Sequence, residues 1–227
     1  MRKSKNKRVI PGFGLSFGIT ITMLGLIVII PLCSLVVFSA KLSFPEFLDT
    51  ITRPRVLSSY AVSFFTAFVA AAIDAVMGMI IAWVLVRYEF PGKRILDGCI
   101  ELPFALPTSV AGITLSKMYS ENGILGAPLA KLGIKVSYTH LGLVIALVFV
   151  GIPFVIRAVQ PVLEKLDGQY EEAAFMLGAN RFQTFRRVLL PEMMPPVLTG
   201  FGLAFARGIG EYGSVIYISG NLSLIHI

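Results

Sequence analysis

The chain has 227 residues, of which 56% are hydrophobic and only 15% are charged, and its formal net charge is +7. A water-soluble domain carries roughly 25% charged residues, so this composition excludes an ordinary soluble protein and predicts a surface that faces lipid. The basic residues collect near the ends of apolar stretches, which favours contact with a membrane surface over contact with nucleic acid.

Five stretches are apolar and approach the length, about 20 residues, that an α-helix needs to cross a bilayer. They are predicted at about 14–38, 58–86, 99–115, 141–159 and 196–219. The first is far longer than the roughly 7 to 15 apolar residues of a secretion signal, so it is predicted to be an uncleaved span. The third is short, and Pro103 and Pro107 predict a break in its helix. The predicted fold class is therefore an all-α polytopic membrane protein.

The distribution of Lys and Arg predicts the orientation. The N-terminal tail and the segments 87–98 and 157–194 hold thirteen such residues, against six in the loops 39–57 and 116–139. Because positive charge is enriched in cytoplasmic loops, the N terminus and the segment 157–194 are expected to face the cytoplasm.

A charged segment lies between the fourth and fifth apolar stretches, and we call residues 164–192 the inter-span segment. Residues 170–177 are predicted to form a short helix that Gly178 ends or bends. Phe182 and Phe185 then give a second short helix an apolar side, and Pro191 is expected to end it. Two short helices with a bend could fill a groove on a partner protein, or could form an ordinary solvated loop on the membrane.

The inter-span segment also carries a motif. Glu172-Ala-Ala is followed after three residues by Gly178, and nine residues later come Val188 and then Leu190-Pro191. This pattern resembles the coupling motif of type I ABC importer permeases, with Val188 in place of the usual Ile. Residues 101–112, 153–161 and 205–213 resemble the oxyanion branch of that family. Residues 8–13 and 87–97 resemble the sulfate/thiosulfate permeases within it.

The resemblance implies the type I ABC importer permease fold, with five spans visible of an expected six. It covers residues 8 to 221, and the last residues look foreign, so we expect a reading frame truncated or frameshifted after Asn221. The implied domains are 1–57, which holds the tail, first span and outer loop, and 58–227, which is the transmembrane domain. The residues implied to couple to an ATPase are Glu171, Glu172, Ala173, Ala174, Gly178, Ala179, Phe185 and Pro191.

In function, the resemblance implies ATP-driven import of sulfate or thiosulfate across a bacterial inner membrane by alternating access. The implied partners are a homologous second permease subunit, two copies of an ABC ATPase that binds ATP and Mg, a periplasmic sulfate/thiosulfate-binding protein, and membrane lipid. Molybdate or tungstate import remains an alternative, because these dianions are similar. A membrane-embedded enzyme is a remote alternative. The sequence shows no clustered catalytic or metal-binding set and no nucleic-acid module, so no cofactor or metal site is expected in this chain.

Four residues are candidates for the substrate pathway. Thr108 and Ser109 follow the predicted helix break, and their hydroxyls could line a pathway or bond back to the helix. Arg207 and Glu211 are four residues apart in the fifth stretch, so they could form a packing ion pair, or Arg207 could attract an oxyanion. Asp74 is expected at an interface between spans, with a proton relay as the alternative.

Overall fold

The computed structural model describes residues 12–166 and 168–220, which form helices and no strands. We number the helices α1 (Phe13–Ser39), α2 (Phe44–Thr52), α3 (Pro54–Arg87), α4 (Lys93–Ile100), α5 (Leu102–Ala105), α6 (Thr108–Met118), α7 (Gly126–Lys131), α8 (His140–Lys165), α9 (Gln169–Met176), α10 (Arg181–Ile209) and α11 (Gly213–Ser219). Within the described ranges, α1, α3, α8 and α10 are long and apolar enough to cross a membrane. The predicted fold class, an all-α multi-pass membrane protein, is confirmed.

The third predicted stretch, residues 99–115, is not one helix. It is distributed over the end of α4, the single turn of α5, and most of α6. Pro103 lies in the first turn of α5, where its missing N–H costs nothing. Leu106 is extended, with φ −86° and ψ 137°, because the ring of Pro107 disfavours the helical conformation in the residue before it. The predicted helix break therefore lies at Leu106–Pro107.

The prediction that Pro191 ends a short helix is wrong. Helix α10 runs without interruption from Arg181 to Ile209, so the fifth span starts earlier and ends earlier than predicted. A wider π-helical turn at Phe185–Leu189 precedes Pro191, and in α1 another at Gly25–Ile29 precedes Pro31 at the same distance. A π turn already shifts the backbone hydrogen bonds, so the helix can continue although the proline has no N–H to donate.

The chain divides into two compact units, Met1–Val56 and Leu57–Ile227. In the described part of the first unit, α1 has no buried residue. The second unit has a core in which α3, α8 and α10 meet around Val155. A Cβ added to Gly78 of α3 would lie 2.8 Å from Val155 Cβ, and one added to Gly200 of α10 would lie 2.6 Å from Val155 Cα. Glycines at these two positions therefore let three helices approach closely.

Candidate functional site

The bend in the inter-span segment is built from two helix caps. Gly178 ends α9 with φ +82°, a conformation that residues with a side chain rarely adopt, and Ala179 N–H donates to the Ala174 carbonyl at 3.0 Å. Asn180 then starts α10, because its side chain accepts from the Gln183 N–H at 2.9 Å while Gln183 accepts in return from the Asn180 N–H. The four successive N–H groups of residues 177–180 therefore all have acceptors within the bend, and the bend is a defined structure.

The outer side of this bend is apolar and exposed. The exposed fractions are 73% for Phe175, 86% for Met176 and 89% for Leu177, and Phe182 beyond the bend is 69% exposed. A cavity of about 700 Å³ opens beside them, lined among others by Phe175 and Phe185. Large apolar side chains exposed together at a bend of a charged segment are typical of a protein-binding site. We call Phe175, Met176, Leu177 and Phe182 the apolar tip.

The residues predicted to couple to an ATPase do not share one environment. Glu172, Ala173, Gly178 and Pro191 are exposed, whereas Ala174 is 8% exposed and packs inward. Ala179, Phe185, Glu171 and Glu172 line the cavity. None of the four residues of the apolar tip is among those predicted to couple to an ATPase, although Phe182 was predicted to give the second short helix an apolar side. Their signal was a run of large apolar residues inside an otherwise charged segment.

One end of the inter-span segment is tied to α3 by Arg87. The Arg87 guanidinium lies 2.8 Å from the Glu171 carboxylate, donates to the Leu166 carbonyl at 3.2 Å and stacks over Trp83 at 5.4 Å. Trp83 in turn meets the Phe185 ring edge to face at 5.7 Å. We call these contacts the Arg87 latch. Glu171 therefore has a partner within its own chain, a role that the motif alone did not predict.

Arg157 holds a second group of contacts on the same unit. Its guanidinium donates to Glu101 at 2.6 Å, to Asp97 at 2.9 Å and to Gln160 at 2.7 Å. Asp97 belongs to α4 and Glu101 follows it, so Arg157 of α8 fixes the segment that leads into the helix break. A guanidinium suits this task because its five donors can serve several acceptors at once.

Two interruptions of helical structure lie against each other. A Cβ added to Gly213 would lie 2.1 Å from Thr108 Oγ1, and a Cβ added to Gly112 would lie 2.4 Å from the Ser214 carbonyl oxygen. The break at Leu106–Pro107 therefore meets the turn between α10 and α11. Irregular backbone at membrane depth is tolerated where it faces protein or a water-filled cavity. Thr108 is half-buried at this contact, and Ser109 beside it is exposed.

Arg207 and Glu211 form an ion pair, although not on one continuous helix. Helix α10 ends at Ile209, and Glu211 lies in the turn that follows. The Glu211 side chain is 1% exposed and accepts from Ser214 twice, from N–H at 2.8 Å and from Oγ at 2.9 Å. The Arg207 side chain stays 33% exposed. We call Arg207, Glu211 and Ser214 the turn cluster; Ser214 was missed, and the Glu-x-x-Ser spacing was its signal.

Asp74 of α3 faces α8, so it lies at an interface between spans, as predicted. It is 1% exposed, and neither carboxylate oxygen has a hydrogen-bond partner among the described residues. A Cβ on Gly151 would lie 2.2 Å from one of those oxygens. A side chain at residue 151 of α8 would collide with the Asp74 carboxylate, so the carboxylate fits here because that residue is glycine.

Comparison with known proteins agrees with this architecture. A family model described as "Binding-protein-dependent transport system inner membrane component" matches residues 74–224. The chain is 48% identical over 218 residues to the "Sulfate transport system permease protein CysT" of Salmonella typhimurium, and 49% identical to that of Escherichia coli. Each of these matches covers 96% of this chain and 79% of the relative. A "Probable sulfate transport system permease protein cysT" from Nephroselmis olivacea is 48% identical over 91% of this chain and 73% of the relative.

The long apolar helices and these matches define a membrane-spanning permease subunit of a transport system. The chain belongs to the family of binding-protein-dependent transport system inner membrane components. The family resemblance predicted from the motif in the inter-span segment is thereby confirmed.

Proposed function

We propose that this chain is the membrane-spanning subunit of an ATP-driven importer of sulfate and thiosulfate in a bacterial inner membrane. The names of the relatives, which share nearly half of their residues with it, support this substrate class. The subunit performs no covalent chemistry. It alternates between inward-open and outward-open states, and a separate ATPase that binds ATP and Mg supplies the free energy that biases those states.

The observation that carries this proposal is the apolar tip beside its cavity. Phe175, Met176 and Leu177 are each more than 70% exposed at a bend that is held by the left-handed Gly178 and by the capping bonds of Asn180. A rigid turn with bare apolar side chains suits a groove on a partner, because little ordering entropy is lost when it docks. The ATPase fills this role, and its closure moves α9 and α10 together with the end of α3 that the Arg87 latch holds.

The turn cluster and the adjoining helix break provide the anion pathway. Arg207 keeps part of its guanidinium exposed while Glu211 is buried, so the exposed side of the pair is positive. Thr108 lies next to the same turn and Ser109 follows it, so two hydroxyls can donate to a passing oxyanion. A complete pathway also needs a homologous second permease subunit, and a periplasmic binding protein delivers the anion. In this arrangement the N terminus and the inter-span segment face the cytoplasm.

Uptake measurements test the substrate. The gene is expressed in cells that lack their own sulfate permease subunit of this type, and uptake of labelled sulfate is measured with unlabelled thiosulfate or molybdate as competitor. We expect uptake that thiosulfate competes with strongly and molybdate weakly. Strong competition by molybdate together with poor sulfate uptake would assign the chain to the molybdate or tungstate class instead.

The pathway assignment is tested by Arg207→Gln. The variant keeps a long polar side chain that can still donate to Glu211, but it leaves the buried carboxylate without its countercharge and should lower stability, so uptake is compared per assembled permease in the membrane. Uptake should nevertheless be lost, because the positive charge that attracts the anion is missing. Normal uptake by an assembled Arg207→Gln permease would show that Arg207 serves packing alone.

A further inference from the structure

Helix α2 has an apolar face on which Phe44, Phe47 and Leu48 are exposed and Ile51 is partly buried. Phe44, Phe47, Leu48 and Ile51 recur at the spacing that places them within an arc of about 100° on a helix of 3.6 residues per turn. The exposed fraction is 73% for Phe44, 39% for Phe47 and 41% for Leu48. A nine-residue helix is too short to be stable alone in water, so this face requires an apolar environment.

The polar face of α2 is satisfied within the helix itself. Ser43 donates to the Glu46 carboxylate from its hydroxyl at 2.7 Å and from its N–H at 3.0 Å, and these bonds hold the pKa of Glu46 below its usual value. Thr50 Oγ1 donates to the Glu46 carbonyl at 2.8 Å, and Arg53 pairs with Asp49 at 3.2 Å. The polar side therefore needs no protein partner, and water suffices to solvate it.

The chain holds α2 close to the edge of the bilayer. Only residues 40–43 separate it from the span α1, and four residues reach at most about 14 Å when fully extended. At the end of α1 the Lys41 ammonium lies 5.6 Å from the centre of the Phe38 ring, an arrangement typical of a lysine that keeps its charge in water above an apolar stem. The boundary of the hydrocarbon region therefore lies near residues 38–41.

We propose that α2 lies flat in the interface of the bilayer, with Phe44, Phe47 and Leu48 among the upper acyl chains and Asp49 and Arg53 in the headgroup layer. A short amphipathic helix with one bare apolar face and an internally paired polar face has the chemistry that a phospholipid surface recognises. In this position α2 anchors the end of α1, and it does so independently of which anion the transporter carries.

Two single-cysteine variants of the full chain test this position. After Cys33→Ser and Cys99→Ser remove the native thiols, Phe47→Cys and Asp49→Cys are labelled with bimane and reconstituted in vesicles of phosphatidylcholine with brominated acyl chains. Bromine quenches only fluorophores at the depth of the chains. We expect at least about threefold stronger quenching at residue 47 than at residue 49, since the apolar face lies about 5 to 10 Å deeper than bulk water.

A second readout separates lipid from protein and water. A membrane-impermeant maleimide, added from the side of α2, should label Asp49→Cys rapidly and Phe47→Cys slowly. Equal and rapid labelling of both positions would place α2 in water and overturn the proposal. Slow labelling of both without quenching of either would place α2 under a protein partner and also overturn it. If Phe47→Cys or Asp49→Cys fails to insert into the membrane, the pair Leu48→Cys and Thr50→Cys repeats the comparison. Neither readout depends on sulfate uptake.

Discussion

The apolar tip and the turn cluster are both built at helix ends, and they place polar and apolar groups in opposite ways. At the tip, large apolar side chains are exposed, with Leu177 89% exposed, while the N–H groups of residues 177–180 are paired. At the turn between α10 and α11, a carboxylate is buried to 1% exposure and its oxygens are paired with Arg207 and Ser214. The large apolar side chains of the tip are left uncovered by the described residues, whereas the charged groups of the turn are paired with one another. Substitutions at the tip should therefore damage association, and substitutions at the turn should damage folding.

The largest effect is expected from Glu211→Ala. It leaves Arg207 unpaired and removes the acceptor for the N–H and hydroxyl of Ser214, and breaking such a pair costs about 3 kcal/mol or more. Glu211→Gln is the matched control, because it keeps an acceptor for Ser214 and removes only the charge. Thermal unfolding of the purified complex measures both variants.

The expected order of melting temperature is unchanged protein, then Glu211→Gln, then Glu211→Ala. The double variant Arg207→Ala, Glu211→Ala should recover part of the loss, since no unpaired guanidinium remains. An unaltered melting temperature for Glu211→Ala would mean that the turn cluster contributes nothing to folding, and the contrast with the tip would disappear.

At the tip, Phe175→Ala should weaken binding of the ATPase and leave the melting temperature of the permease nearly unchanged. The loss should be about 2 kcal/mol, or about 30-fold in affinity, because a large aromatic side chain in a docked groove is a typical hot spot. Phe65→Ala is the matched control, since Phe65 of α3 is exposed to a similar degree, 68% against 73% for Phe175. Titration of the ATPase onto the reconstituted permease measures the affinity. A similar loss from both variants would contradict a specific docking role for the tip.

The sequence predicted the apolar helices well, because about 20 consecutive apolar residues have few other stable arrangements. It predicted the break before Pro107, since the ring of a proline acts on its immediate neighbour. It failed at Pro191, because the π turn at Phe185–Leu189 that tolerates this proline depends on hydrogen-bond geometry that residue identity does not determine. Sequence spacing also predicted that Arg207 and Glu211 lie together, but on the assumption that both belong to one helix. The helix ends at Ile209, and the pair forms across a turn.

The Arg87 latch was outside the reach of sequence reasoning for a different reason. Arg87 and Glu171 are distant along the chain and meet only because α3 and the inter-span segment pack together. The family motif marked Glu171 as a residue for an external partner, and the structure pairs it internally. Contacts of this kind depend on tertiary packing, which neither periodicity nor a local motif encodes.

A smaller effect is expected from the latch. Arg87→Ala should cost only about 1 kcal/mol of stability, since the Glu171 side chain is 40% exposed and such pairs contribute little. It should nevertheless lower transport per ATP hydrolysed, because α3 no longer follows the movement of α9. The exchange Arg87→Glu with Glu171→Arg tests the pairing, as it should restore coupling that either single variant loses. Coupling that stays intact in Arg87→Ala would limit the latch to a structural role.

The smallest effect is expected where an ion pair of the same kind lies in water. Glu121 and Lys135 pair at 2.8 Å with side chains 66% and 71% exposed, and their hydrogen bond lowers the pKa of Glu121 and raises that of Lys135. The contribution of Glu121 is present above its ordinary pKa of 4.5 and is lost as the pH falls through its lowered value, and that of Lys135 is present below 10.5 and is lost as the pH rises through its raised value. Because both side chains are mostly exposed and solvent screens the pair, these contributions are small, and Glu121→Gln should leave the melting temperature unchanged, within error, at every pH between these limits. A drop in melting temperature as large as that of Glu211→Ala would show that solvent exposure does not determine how much an ion pair stabilises this protein.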